Sequence, residues 1–368
     1  MNLELTAEQV ALRDTVRRFL AERAPISGHV RALLDDPTGS TETVWRGLAD
    51  LGATGLLVPE EHGGAGMTMV EAGVVAEELG AALYPGPWLS TAVGAVRLLT
   101  RIGGSSAARI LTEIARGTTV ATIGLFDTGA VAAIERTDEE TPRVVLKGEI
   151  AIVPDAAAAD LVLVAAQDRD GTGLFAVETA SGGITITPQR GIDQTRKQFE
   201  VKFDGAATRR FGSLSPSTLQ AVVDDVLIAM AADALGAARA VLAMALEYAK
   251  TRKQFGQAIG SFQAVQHLCV DMYETVELAR GGVIHALWAA DAADPEEHHL
   301  SALRAKAFAG RLAAVGDTAI QVFGGIGYTW EHDAHLYLKR LLSWSEYGGG
   351  PDQYLTEVGA RLAKKGQR

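Results

Sequence analysis

The sequence predicts an α+β chain that is mainly helical, with an N-terminal all-α domain, a small middle β domain and a C-terminal four-helix bundle. Apolar residues recur at three- and four-residue spacing at both ends of the chain, and the stretch between breaks into short β-branched runs divided by turns. At 368 residues the chain is also too long for one compact core. The expected boundaries are residues 1–118, 119–212 and 213–368.

The first helix is expected from Thr6 to Ala24. Leu12, Val16, Phe19 and Leu20 share a helical face, and Thr6 with Glu8 suits a capped, acidic first turn. Helices over Val44–Leu51 and Val70–Leu83 follow, separated by the turn Pro59–Gly66, where Gly63, Gly64 and Gly66 mark a loop. Helical spacing over Leu89–Arg101 and Ala107–Arg116 completes the domain. Strands are expected at 120–125, 143–148, 161–165, 173–177, 184–188 and 200–203, the last two alternating with period two. From Pro216 the helical period returns over 216–251, 262–292, 295–323 and 332–364, long enough for an antiparallel bundle.

A net charge of −11 and a pI near 5.3 disfavour nucleic-acid or anionic-membrane partners, because both would be repelled at long range. The single cysteine, Cys269, forms no internal disulfide and fits a reducing compartment. The N-terminus lacks a basic start followed by an apolar run, and no uninterrupted apolar stretch of about 18 residues occurs. These features predict a soluble, cytoplasmic protein.

Two segments of the bundle carry chemistry. RKQFG (252–256) places an arginine, an aromatic ring and a glycine break at a helix end. A guanidinium there can grip a diphosphate bidentately while Phe255 covers a ring face; the plainer reading is a solvated basic turn. QVFGGIG (321–327) brings two adjacent glycines, which let backbone approach a ligand and expose amide donors. Alone, such a loop is weak support.

Together with PEEHGGAGMTMVEAGVVAEELG (59–80), and in this order, the segments RKQFGQAIGSFQAVQHLCVDM (252–272) and AKAFAGRLAAVGDTAIQVFGGIGYTWEHDAHLYLKR (305–340) resemble the acyl-CoA dehydrogenase family over nearly the whole chain. The resemblance implies that family's fold and an FAD cofactor. It further implies that Arg252, Phe255, Gln321, Gly324 and Gly325 reach across a subunit interface to FAD lodged mainly in a neighbour. The family's reaction removes an α proton from an acyl thioester with a carboxylate while the β hydrogen leaves as hydride to the flavin, so a positioned base is indispensable.

That base is missing from both of the family's usual places. A glutamate is commonly found about 24 residues beyond the first glycine of the GGxG loop, and here that count reaches Gly348. The alternative position, in the first long bundle helix, falls at Val226, with Leu227 in place of the arginine that usually follows. Asp225, Glu346 and Asp352 lie near these positions and are candidate displaced bases, although such carboxylates more often are solvated or complement a helix dipole. Where relatives hold the flavin ring with a Thr-Glu-Pro-x-x-Gly-Ser loop and a Trp-Ile-Thr strand, this chain has 124–130 (GLFDTGA) and 150–155 (IAIVPD).

The resemblance therefore points to the catalytically incomplete subunit of an α2β2 acyl-CoA dehydrogenase, of the kind that acts on steroid side chains attached to CoA in actinobacteria. Such a subunit would complete the FAD site of a catalytic partner. Two alternatives stand beside it: a self-sufficient homo-oligomer using Asp225, Glu346 or Asp352 as base, and a non-catalytic scaffold of the same fold. No metal is expected, since Glu331, His332, Asp333 and His335 fall in a segment where the resemblance implies none. Trp330, Tyr337 and Trp344 are expected in the core or an interface rather than in an acyl pocket.

Overall fold

The computed structural model describes residues 4–125, 131–136 and 143–365. Along the chain, helices are followed by strands and then by helices, as the sequence predicts. In space the chain divides into two compact units, one made of residues 1–29, 69–84 and 227–368 and the other of 30–68 and 85–226.

In the first unit, α1 (Ala7–Arg23) opens with a full capping box, the Thr6 hydroxyl accepting from the Gln9 amide and the Gln9 side chain bonding the Thr6 backbone. It packs on α3 (Met69–Ala81). The rest of α6 (Pro216–Thr251), which starts in the other unit, continues here with α7 (Gln263–Ala292), α8 (Pro295–Ala309), α9 (Ala313–Phe323), α10 (Ala334–Glu346) and α11 (Pro351–Lys365). Two glycines let α3 and α6 touch backbone to backbone. A β-carbon on Gly80 would lie 1.9 Å from the Asp233 carbonyl oxygen, and one on Gly236 would lie 1.8 Å from that of Glu77. Beside this contact Arg340 and Asp233 form a buried ion pair at 3.2 Å, and Arg340 also donates to the Tyr84 carbonyl.

The bundle is more broken than the sequence suggests. The expected helix 295–323 is interrupted at Gly310–Leu312 by a short 3₁₀ turn; a β-carbon on Gly310 would sit 2.6 Å from the Pro351 ring. The expected helix 332–364 breaks between α10 and α11, because Gly348 and Gly349 take φ of +68° and +118° and Pro351 starts a new helix. By length and mean hydropathy α6 could cross a membrane, but Asp233 and Arg239 interrupt it and 78% of its most apolar window is buried.

The second unit holds α2 (Glu42–Asp50), α4 (Val96–Ile102), α5 (Gly104–Ala115) and the sheet. Leu89–Ala95, expected as α-helix, is a buried π-helical stretch. At its Gly94 a β-carbon would be 2.7 Å from the Ile123 Cδ1, so a side chain there would push that methyl aside. The strands are β1 (Ala121–Gly124), β2 (Val131–Arg136), β3 (Arg143–Pro154), β4 (Leu161–Asp168), β5 (Gly171–Glu178), β6 (Ile184–Gln189) and β7 (Gln198–Ser213). Pairings β4–β2, β2–β3, β3–β7, β7–β5 and β5–β4 close a ring, with β1 added to β4 and β6 to β7. Inside it Leu146, Ile150, Phe175, Phe199 and Phe203 form an apolar core. β2 was not anticipated: its mixed VAAIER pattern lacks the β-branched density of its neighbours.

Candidate functional site

Where α6 ends, the chain folds into a two-residue hairpin. Lys253–Gln254 pairs with Gln257–Ala258, and the amide of Ile259 donates to the Arg252 carbonyl at 2.8 Å. The tip residues Phe255 and Gly256 both have positive φ, +51° and +80°, the pattern of a type I′ turn. For a phenylalanine this left-handed backbone costs about 1–2 kcal/mol. Its ring is nonetheless 91% exposed and meets Phe262 edge-on at 6.1 Å. A strained aromatic held out into solvent is an outlier that calls for a function. Arg252 is exposed as well, and no side-chain hydrogen bond or ion pair engages it among the described residues.

The second segment stands beside the first. The Tyr248 ring, one turn before Arg252, packs at 5.2 Å on Phe323, the last residue of α9. Gly324 follows with φ +64° and ψ −144°, a conformation open essentially to glycine alone. Gln321, Gly324 and Gly325 are all exposed, and a β-carbon on either glycine would meet no atom within 4 Å. All five sequence-predicted residues thus lie at neighbouring helix ends facing out of the chain. The set supplies a guanidinium, an exposed ring, a side-chain amide and unshielded backbone amides, which suits an anionic group carrying an aromatic ring.

The candidate bases fare differently. Asp225 is fully buried, with Arg97 Nε at 2.8 Å and Arg101 Nη2 at 2.7 Å from its Oδ2. It is locked by two guanidinium groups. Val226 and Leu227 are buried too, and Val226 packs toward Gly94. Gly348 lies in a tight turn, its carbonyl accepting from the Tyr354 hydroxyl at 2.8 Å. A side chain there would be strained and would crowd that hydroxyl at 3.3 Å. Glu346 and Asp352 are exposed on either side of the turn.

Beneath this turn lies a residue that sequence reasoning missed. Lys306 of α8 is fully buried, and its ammonium donates to the Trp344 carbonyl and, at 3.1 Å, to that of Ser345, while sitting 3.9 Å from the Trp344 ring centroid. Nothing local marks it, because its partners are 38 and 39 residues away. Burial pushes its pKa down to about 7 from 10.5, with Glu346 pulling the other way. Between those two values the unfolded chain binds the proton and the folded chain has released it, so stability from this group rises with pH. Below about 7 both states are protonated and the slope vanishes. We expect denaturant midpoints to climb between pH 7 and 9, by at most about 1.4 kcal/mol per pH unit, and Lys306→Met to flatten that slope.

The remaining singled-out residues make the following contacts within the chain. His332 accepts from the Ala334 amide and stacks near Phe323 at 4.4 Å, and His335 meets Trp330 edge-on at 4.7 Å. Among the described residues no group of three or more metal-type ligands gathers. Trp344 and Tyr337 are buried, whereas Trp330 is 57% exposed. In the middle domain Ile150 and Val153 join the barrel core, and Asp155 is buried, accepting from the Ser90 hydroxyl at 2.6 Å. Residues 126–130 of the segment expected at the flavin ring lie outside the described residues.

Comparison with known proteins agrees with the fold. Residues 6–118 match the description "Acyl-CoA dehydrogenase, N-terminal domain" and residues 226–363 match "Acyl-CoA dehydrogenase, C-terminal domain". The acyl-CoA dehydrogenase IpdE2 of Mycolicibacterium smegmatis is 34% identical over 97% of this chain and 100% of its own length. Among solved structures, the ChsE4–ChsE5 complex of Mycobacterium tuberculosis has a TM-score of 0.88 at 27% identity, covering 99% of both chains. A variant of the steroid ACAD Tcur3481–Tcur3483 has a TM-score of 0.87 at 28% identity, covering 98% of this chain and 99% of that one.

Proposed function

The chain belongs to the acyl-CoA dehydrogenase family, and from that membership we propose that it is a catalytically incomplete subunit that completes the FAD site of a catalytic partner. In this reading Arg252 grips the diphosphate and Phe255 covers a ring face. Gln321, Gly324 and Gly325 supply amide donors. The bound FAD would supply the hydride acceptor for α,β-dehydrogenation of an acyl-CoA thioester. The observation that carries the reading is the pairing of an exposed, strained clamp with blocked base positions: Phe255 is 91% exposed, while Asp225 is fully buried between two arginines.

The similarity to a two-protein complex and to a steroid ACAD supports a hetero-oligomer acting on a steroid side-chain CoA. The self-sufficient reading loses Asp225 as a base, since a carboxylate held by two guanidinium groups is a poor proton acceptor. It keeps only Glu346 and Asp352. The scaffold reading predicts no flavin under any condition. Co-expression with a neighbouring-gene dehydrogenase, followed by flavin absorbance and native mass, separates the three. We expect a colourless chain alone and a yellow, active α2β2 complex with the partner. A yellow homo-oligomer that oxidises acyl-CoA by itself would overturn the proposal.

A further inference from the structure

A cavity of about 480 Å³ opens between α1, α3 and α6, apart from the clamp and from the candidate base positions. Its walls are small: Ala21, Ala24, Ala81, Ala82, Ala240 and Ala243, with Leu20 and Ile26 beside them. No larger side chain of the chain fills the space, and its volume lies within the range that holds small ligands.

The polar part of the lining is one charged cluster. Arg17 Nε and Nη2 grip the Glu78 carboxylate at 2.9 and 2.8 Å, and Arg239 Nη2 adds a third bond at 2.7 Å. Burial alone would raise the Glu78 carboxyl, but these hydrogen bonds outweigh it and hold it below the usual carboxylate range. Arg239 Nε also faces Glu77 at 3.2 Å, a carboxyl that burial pushes up against the pull of the neighbouring guanidinium groups. Two guanidinium groups therefore converge on Glu78, and one of them also reaches Glu77. Nη1 of both Arg17 and Arg239 has no hydrogen-bond acceptor among the described residues, and both side chains are partly exposed, at 48% and 37%.

We propose that this alanine-walled slot binds a small single-chain carboxylate, its apolar chain lying along the alanines and its head group taking the remaining donors of Arg17 and Arg239. The volume is ample for a medium-length alkyl chain. The lining of this site includes none of the clamp residues or candidate bases, so its fate does not bear on the proposed function.

The probe is octanoate, titrated calorimetrically into the 368-residue chain in the assembly in which it purifies, with thermal unfolding scanned in parallel. Saturable binding with a midpoint shift of about 3 °C at saturation is expected. Octan-1-ol, of equal length and uncharged, should bind at least about tenfold more weakly, and Arg17→Gln should weaken octanoate by a similar factor. Ala240→Leu should fill the slot and abolish binding. If that variant fails to fold, Ala243→Leu at an exposed position on the same wall gives the same reading. No saturable octanoate binding, equal affinity for octanol, or unchanged affinity in the folded leucine variant would overturn the assignment.

Discussion

Replacing Gly236 with alanine is expected to destabilise the protein by more than about 3 kcal/mol, enough to leave little soluble chain at 37 °C. The added methyl would lie 1.8 Å from the Glu77 carbonyl oxygen and 3.0 Å from the Ala81 amide nitrogen, both backbone atoms that cannot rotate away. Relief requires parting α3 from α6, which would also disturb the Arg340–Asp233 pair, whose two side chains are only 2% and 5% exposed. A buried pair left with one member typically costs about 3–5 kcal/mol, so the two losses reinforce one another. Gly80→Ala should behave alike. Gly359→Ala is the control: it sits on an exposed face of α11 with nothing within 4 Å, and helix propensity predicts a gain of about 0.5–1 kcal/mol. Urea midpoints of the three variants test the contact directly, and a Gly236→Ala midpoint equal to wild type would refute it.

Arg252→Ala is expected to strip flavin from the co-expressed complex while leaving the fold and the assembly intact. Arg252 is exposed and makes no side-chain hydrogen bond or ion pair among the described residues, so its loss should move stability by less than about 0.5 kcal/mol. If its guanidinium meets a diphosphate in the complex, the same change removes a charge-assisted pair of about 1.5–3 kcal/mol, a drop in flavin affinity of roughly tenfold to more than a hundredfold. Phe255→Ala should also weaken flavin retention, and should relieve none of the backbone strain, since alanine tolerates the left-handed region no better. Phe255→Gly separates the two effects by removing both ring and strain. Flavin-to-protein ratios after gel filtration decide the matter: an Arg252→Ala complex with its full flavin content would remove the clamp from the cofactor site.

The parts of this molecule legible in its sequence are those fixed locally. The Thr6 cap, the helical spacing of α1 and α3, the glycine break at the end of α6 and the glycine loop after α9 each depend on residues a few positions apart. What stayed hidden depends on distant partners. Asp225 reads as a possible base until Arg97, 128 residues earlier, is seen bonded to it. Gly310 looks like a tolerable helix glycine until Pro351 packs against it, and Lys306 resembles a surface lysine until the end of α10 lies over it. The π-helical turn at Leu89–Ala95 has no local mark either; the close approach at its Gly94 comes from Ile123, 29 residues later.

The division of the first unit into three stretches of chain bears on the order of folding. Glu78 bonds Arg239 across 161 residues, and the Met69 amide bonds Asp291 across 222. During synthesis α1 and α3 therefore leave the ribosome long before the helices that complete their core, whereas residues 30–68 and 85–226 can close their barrel first. The apolar faces of α1 and α3 stay exposed during that interval. Such late closure of distant contacts slows folding and lengthens exposure to aggregation, so recovery of this chain on refolding should fall steeply with protein concentration.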